Sequence, residues 1–117
     1  MNALDFLNFF NDSVKEEIKI FTLKGNEYSG EVNRFANFER LSDELGLHPI
    51  EIAWVYAAKH KDSVTSFIKE KKVFSNEDIY GRISDLRNYL ILIGGMIIKY
   101  RNLPESHKWH IKEFTNE

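Results

Sequence analysis

The chain has 117 residues, 29% of them charged, and a formal net charge of −2. That length fits one domain, residues 1–117, able to bury a core without metal or disulfide staples. The absence of cysteine excludes a disulfide framework, a thiolate zinc site and a cysteine nucleophile, and the lack of a basic excess argues against nucleic acid as a partner.

Leu7, Phe10, Val14, Ile18 and Phe21 recur at spacings of three and four. They predict the apolar face of a first helix over roughly residues 3 to 24. Its start, MNALDFLNFFND, has no basic stretch before the apolar residues and reads as a mature helix, not a signal peptide. Phe6 and Phe9 widen the face. Gly25 and Gly30, with Asn26 and Ser29 between them, read as a helix end followed by a loop. In a functional reading of that loop, Lys24 meets phosphate and Tyr28 stacks on a ligand or donates a hydrogen bond.

A second helix is expected over Asn33–Leu45, with Phe35, Phe38, Leu41 and Leu45 inward and Gly46 closing it. His48-Pro49 opens a third, running to about Lys72. Its inner stripe is Ala53, Ala57, His60, Val64 and Phe67, and His60 reads as a satisfied, partly buried histidine. The fourth helix starts at Ser75 as N-cap and runs to Arg101, with Ile79, Ile83, Leu86, Leu90, Ile93 and Ile97 on one stripe. Near its end it is apolar almost all round, the pattern of a buried central helix, yet the unbroken run Tyr89–Ile98 is too short to span a membrane. Gly94-Gly95 is costly inside a helix, which points to close approach of another helix, or else to a kink. After Leu103-Pro104 comes a tail, residues 103–117, in which Trp109 and Phe114 are expected to dock on the bundle. His107 and His110 alone are weak evidence for a metal. The fold class is therefore all-α: an antiparallel bundle of about four helices (core about 3–102) with a C-terminal tail. Phe6, Phe9, Trp54 and Trp109 exceed what one small core needs, so a homodimer is expected. A cysteine-free chain suits the cytoplasm.

The link between the third and fourth helices, Val73-Phe74-Ser75, is short, so the two are antiparallel neighbours. Equal rise on both sides brings residue i level with about 147 − i. Asp62 then falls level with Asp85, and Lys59 with Asn88; Arg82 and Tyr89 lie one turn to either side of Asp85. Two polar pairs thus meet at one height of a hairpin.

KHKDSVTSFI (59–68) and EDIYGRISDLRNYLIL (77–92) resemble the all-α nucleoside triphosphate pyrophosphohydrolases, the MazG and dimeric dUTPase-like superfamily. They are most similar to small phage-borne relatives with a D-x-x-N-Y element, here Asp85 to Tyr89. The resemblance covers roughly residues 21–100 and implies that Lys59/Asp62 and Asp85/Asn88 stand where the family has acidic pairs holding Mg²⁺. It also implies Asp62 and Asp85 as catalytic metal ligands, with Lys24, Lys59 and Arg82 for phosphates, Asn88 for a base or sugar, and Tyr28 and Tyr89 for stacking. Glu16-Glu17 resembles the double glutamate that begins the family motif, while Ile20 stands at the place of its third acid. Two readings without catalysis stand beside this one. In the first, Lys59 pairs with Asp85, and Asp62 with Arg82, as an ion-pair network fixing helix register. In the second, the chain is a non-enzymatic interaction protein, such as a phage accessory factor that binds a host protein.

Overall fold

A computed structural model describes residues 1–28, 33–72 and 78–112, with only the backbone for 24–28. All its regular elements are helices: α1 (Ala3–Tyr28), α2 (Ala36–Leu45), α3 (Pro49–Glu70) and α4 (Ile79–Arg101). The chain divides into two compact units, Met1–Arg34 and Phe35–Glu117.

The first unit is built on α1. The helix continues through Gly25 to Tyr28, so the expected end at Gly25 and the loop at 24–28 are corrected. One glycine costs a helix about 1 kcal/mol, which a helix of 26 residues absorbs. Of the expected apolar face, Leu7, Phe10 and Ile18 are more than half exposed.

The second unit carries the core. Phe38 from α2, Ile52 and Ala53 from α3, and Met96 and Tyr100 from α4 are buried together. Phe35, Tyr89, Leu103, Trp109 and Ile111 pack around them. α2 starts at Ala36, later than expected, and ends where Gly46 adopts a left-handed φ of 71°. Leu45, expected inward, is 62% exposed. The inner face of this helix instead includes Glu39 and Ser42. α3 begins after His48, whose ring caps it, with Pro49 in the first turn. Lys71 closes it in a left-handed conformation. Ala53 and Ala57 are fully buried on the α4 side of α3; their small side chains let the two helices approach.

The N-cap of α4 is Asp78, whose carboxylate accepts the Gly81 N–H at 2.8 Å. That corrects the expected start at Ser75, a residue outside the described set together with the rest of 73–77. Of the expected α4 stripe, Ile79, Ile83, Leu86, Ile93 and Ile97 are half-buried, with Ile93 packed against the core, and Leu90 is about half exposed; the most deeply buried residues of the helix, Asn88, Met96 and Tyr100, were not in it. A helix apolar on nearly every side gives a periodicity with too little contrast to mark its inner face. The helix is unbroken at Gly94-Gly95, and the close approach there comes from the Phe35 ring against Gly95, not from another helix backbone. No helix among the described residues is long and apolar enough to cross a membrane.

The segment after α4 docks as expected of Trp109. Its ring lies 5.9 Å from that of Tyr100, and its Nε1–H donates to Ser42 Oγ at 3.0 Å. Phe114 lies outside the described residues.

Candidate functional site

The α3–α4 seam has the register expected of a tight antiparallel pair. His60 Nδ1 lies 3.8 Å from Asp85 Oδ2, and the His60 ring stacks on Tyr89 with centroids 5.5 Å apart. Tyr56, one turn earlier on α3, stacks on the same Tyr89 at 6.0 Å. Each pair falls within two residues of the level predicted from equal rise. Phe38 of α2 meets both tyrosines edge-on, at 6.1 and 6.4 Å, and closes the aromatic group on its core side.

At this height stands Asn88. The residue is 9% exposed, and its amide oxygen is buried with no hydrogen-bond partner among the described residues. Leaving a buried amide group unsatisfied costs about 1–3 kcal/mol, so packing alone gives a poor account of a carboxamide here. Leucine would fill much the same volume without that cost.

The remaining expected site residues separate. Asp85 is mostly buried, its side chain 17% exposed beside His60. Arg82 and Tyr89 are half-buried; Lys59 and Asp62 are exposed on the outer side of α3. In the place foreseen for Lys59 beside Asp85 stands His60, because His60 faces α4 while Lys59, the residue before it, projects about 100° away; at 3.8 Å the two groups are neighbours without a hydrogen bond between them. Lys24 and Tyr28 are helical in backbone, and their side chains lie outside the described residues.

Sequence reasoning noticed His60 on an apolar stripe but did not connect it with Asp85, and it overlooked a second buried polar group. Glu39 of α2 accepts two bonds from Lys99 Nζ of α4, both at 2.9 Å. The Lys99 ammonium also lies 5.5 Å from the centre of the Phe35 ring. Burial, with the Glu39 charge adding to it, holds the Tyr100 phenol neutral well above the usual tyrosine range. Glu39 sits one position from Phe38 on a strongly amphipathic helix, which was the available signal.

Mg²⁺ requires oxygen ligands, commonly one or two carboxylates completed by phosphates and water. Among the described residues no group of three or more His, Asp or Glu side chains comes together. The two expected carboxylates stand in different surroundings, Asp62 in solvent and Asp85 against an imidazole. These residues do not make a magnesium cage, and no chemical step is assigned to a metal. His107 and His110 do not converge either: His107 Nδ1 accepts from the Trp109 N–H, and His110 Nδ1 bonds the Leu103 carbonyl. No protein-family model matches the chain, and no curated protein or solved structure matches it.

Proposed function

We propose that the α3–α4 seam binds a nucleotide, in the manner implied by the resemblance to MazG-like proteins. The observation that carries this reading is the Asn88 carboxamide, buried at the height of the aromatic group with its oxygen unsatisfied among the described residues. A base or sugar edge would supply the missing hydrogen bond, and among the described side chains the cations the resemblance offers for phosphates are Arg82, half-buried on α4, and Lys59, exposed on the outer side of α3. Hydrolysis to a monophosphate and pyrophosphate is the enzymatic form of the reading. It would require Asp62 and Asp85 to share one Mg²⁺, and the different surroundings of the two carboxylates favour binding without turnover.

A thermal-shift screen of nucleotides, with and without Mg²⁺, tests the proposal, since a ligand that binds only the folded state raises its melting temperature. At least one nucleotide is expected to raise it, and Asn88→Leu to erase that rise without lowering the melting temperature of the free protein. No shift with any nucleotide would remove the proposal. Release of pyrophosphate that needs Mg²⁺ and is lost in Asp85→Ala would establish the enzymatic form.

A second reading, a protein-interaction role with self-association as one form, is favoured by Leu4, Phe6, Leu7, Phe10 and Ile18 of α1, each more than half exposed. Several large apolar side chains exposed together on a helix commonly mark a binding surface. Light scattering distinguishes a dimer from a monomer that meets other partners.

A further inference from the structure

We propose that His48 is a proton-sensitive clasp tying the segment after α4 to the start of α3, and that protonation of its ring opens it. The imidazole makes two bonds with opposite requirements. Nδ1 accepts the Ile50 N–H at 3.1 Å, so it must carry a lone pair. Nε2 lies 2.9 Å from the Trp109 carbonyl oxygen, which only accepts, so Nε2 must carry the hydrogen. A single species, the neutral ring with its hydrogen on Nε2, makes both bonds; this tautomer follows from the partners.

Histidine is an unusual N-cap. Serine, threonine, aspartate or asparagine would satisfy the helix, but their short side chains have no second end to reach another segment. Here the second end crosses to a residue 61 positions later in the chain. The ring edge also meets the face of Tyr100, centroids 5.2 Å apart at 86°, and Tyr100 is fully buried. From outside its own segment Trp109 is held by the His48 ring on its carbonyl, Ser42 on its indole N–H, and Tyr100 against its ring. The Ile111 N–H donates to the Tyr100 carbonyl at 3.3 Å.

A proton on Nδ1 would set a second N–H against the Ile50 N–H at the end of a helix whose dipole already disfavours positive charge. The ring then leaves its place, and the cap and the Trp109 bond are lost together. Both bonds need the same neutral tautomer, so a proton added to the ring is incompatible with the clasp as built. The charged and titratable groups around the ring come from every packed element. From α3, Glu51 accepts the His48 backbone N–H at 3.1 Å, and its carboxylate opposes opening. From α2, Glu39 is neutralised by Lys99 of α4, and Asp43 is paired with Lys108. Tyr100 stays neutral across the acidic range. From the docked segment, His107 Nδ1 accepts the Trp109 N–H at 3.1 Å and is the one other imidazole whose protonation would disturb Trp109 directly.

Amide hydrogen exchange of the full chain, expressed as protection factors at about pH 7.5 and about pH 5, tests the clasp. In the wild type, protection at Ile111 is expected to fall at least tenfold at the lower pH while the helices of α3 and α4 stay protected. His48→Asn keeps an acceptor for the cap but cannot reach Trp109. It should show low Ile111 protection at both pH values, with helical circular dichroism unchanged. His107→Ala should keep the wild-type pH response. Equal Ile111 protection at the two pH values, a protected segment in His48→Asn, or loss of the response in His107→Ala would each overturn the assignment to His48.

Discussion

The Phe35 ring is seated against the backbone of Gly95: a β-carbon on that glycine would lie 3.1 Å from Phe35 Cζ. The neighbouring Gly94 has nothing within 4 Å of the same position. Two adjacent glycines of one helix therefore have different physical roles, although nothing in their local sequence separates them.

Substitution by alanine is expected to part them. Gly94→Ala gains helix propensity with no clash and should raise stability by about 0.5–1 kcal/mol. Gly95→Ala gains the same propensity but forces the Phe35 ring to move by a few tenths of an ångström, so the gain should be cancelled or reversed. Gly95→Val should be clearly destabilising. Urea denaturation of the three variants reads this order; a gain at Gly95→Ala equal to that at Gly94→Ala would show that Phe35 is not seated there.

Tyr100 gives a prediction in alkali. Its folded-state pKa is raised above the unfolded value of about 10. The neutral phenol thus contributes stability that is complete below about pH 10 and is lost as pH rises beyond it. Unfolding free energy should fall above that pH more steeply in the wild type than in Tyr100→Phe. At pH 7 the variant should lie within about 1 kcal/mol of the wild type, because the hydroxyl has no hydrogen-bond partner of normal geometry among the described residues. Parallel pH profiles for the two proteins would show the phenol to be accessible to solvent.

The two tryptophans are expected to behave differently. Trp109 packs on Tyr100 and donates to Ser42, whereas Trp54 is 57% exposed. Trp109→Ala should cost about 2–3 kcal/mol, the lower side of the range for an aromatic deletion because the ring is only half-buried. Trp54→Ala should cost under about 1 kcal/mol, as surface substitutions usually do. Thermal denaturation of both variants checks the contrast, and a Trp54 variant as damaged as the Trp109 variant would point to a covered surface on α3.

Much of the fold was legible because the chemistry was local. Gly46 and Pro49 mark helix boundaries through backbone conformation, and the three- and four-residue spacings of α3 set its inner face. The hairpin register followed from equal rise, which is why His60 and Tyr56 meet Asp85 and Tyr89 within two residues of the expected level. What stayed hidden were partners chosen across space. Glu39 and Lys99 are 60 residues apart, and His48 and Trp109 are 61 apart. On α4 the stripe left out the most deeply buried residues, Asn88, Met96 and Tyr100, because leucine and isoleucine on several sides of its second half blur the inner face. The site divided along the same line: adjacency on one helix face could be read, but which neighbouring side chain turns toward the seam, His60 or Lys59, depended on rotation about the helix axis.

The indole of Trp109 donates to Ser42 Oγ, and the Ser42 hydroxyl donates in turn to the Leu47 carbonyl in the turn after α2. This relay closes a loop of more than sixty residues, whereas α3 and α4 meet across one short link. Long loops close late in folding because their ends must find each other against chain entropy. On a ribosome, Trp109 and Ile111 emerge after all four helices have been made. Until they arrive, the newly formed helical framework lacks the cover that Trp109 and Ile111 give to the cluster of Tyr100 and Met96, and that apolar surface stays open to water.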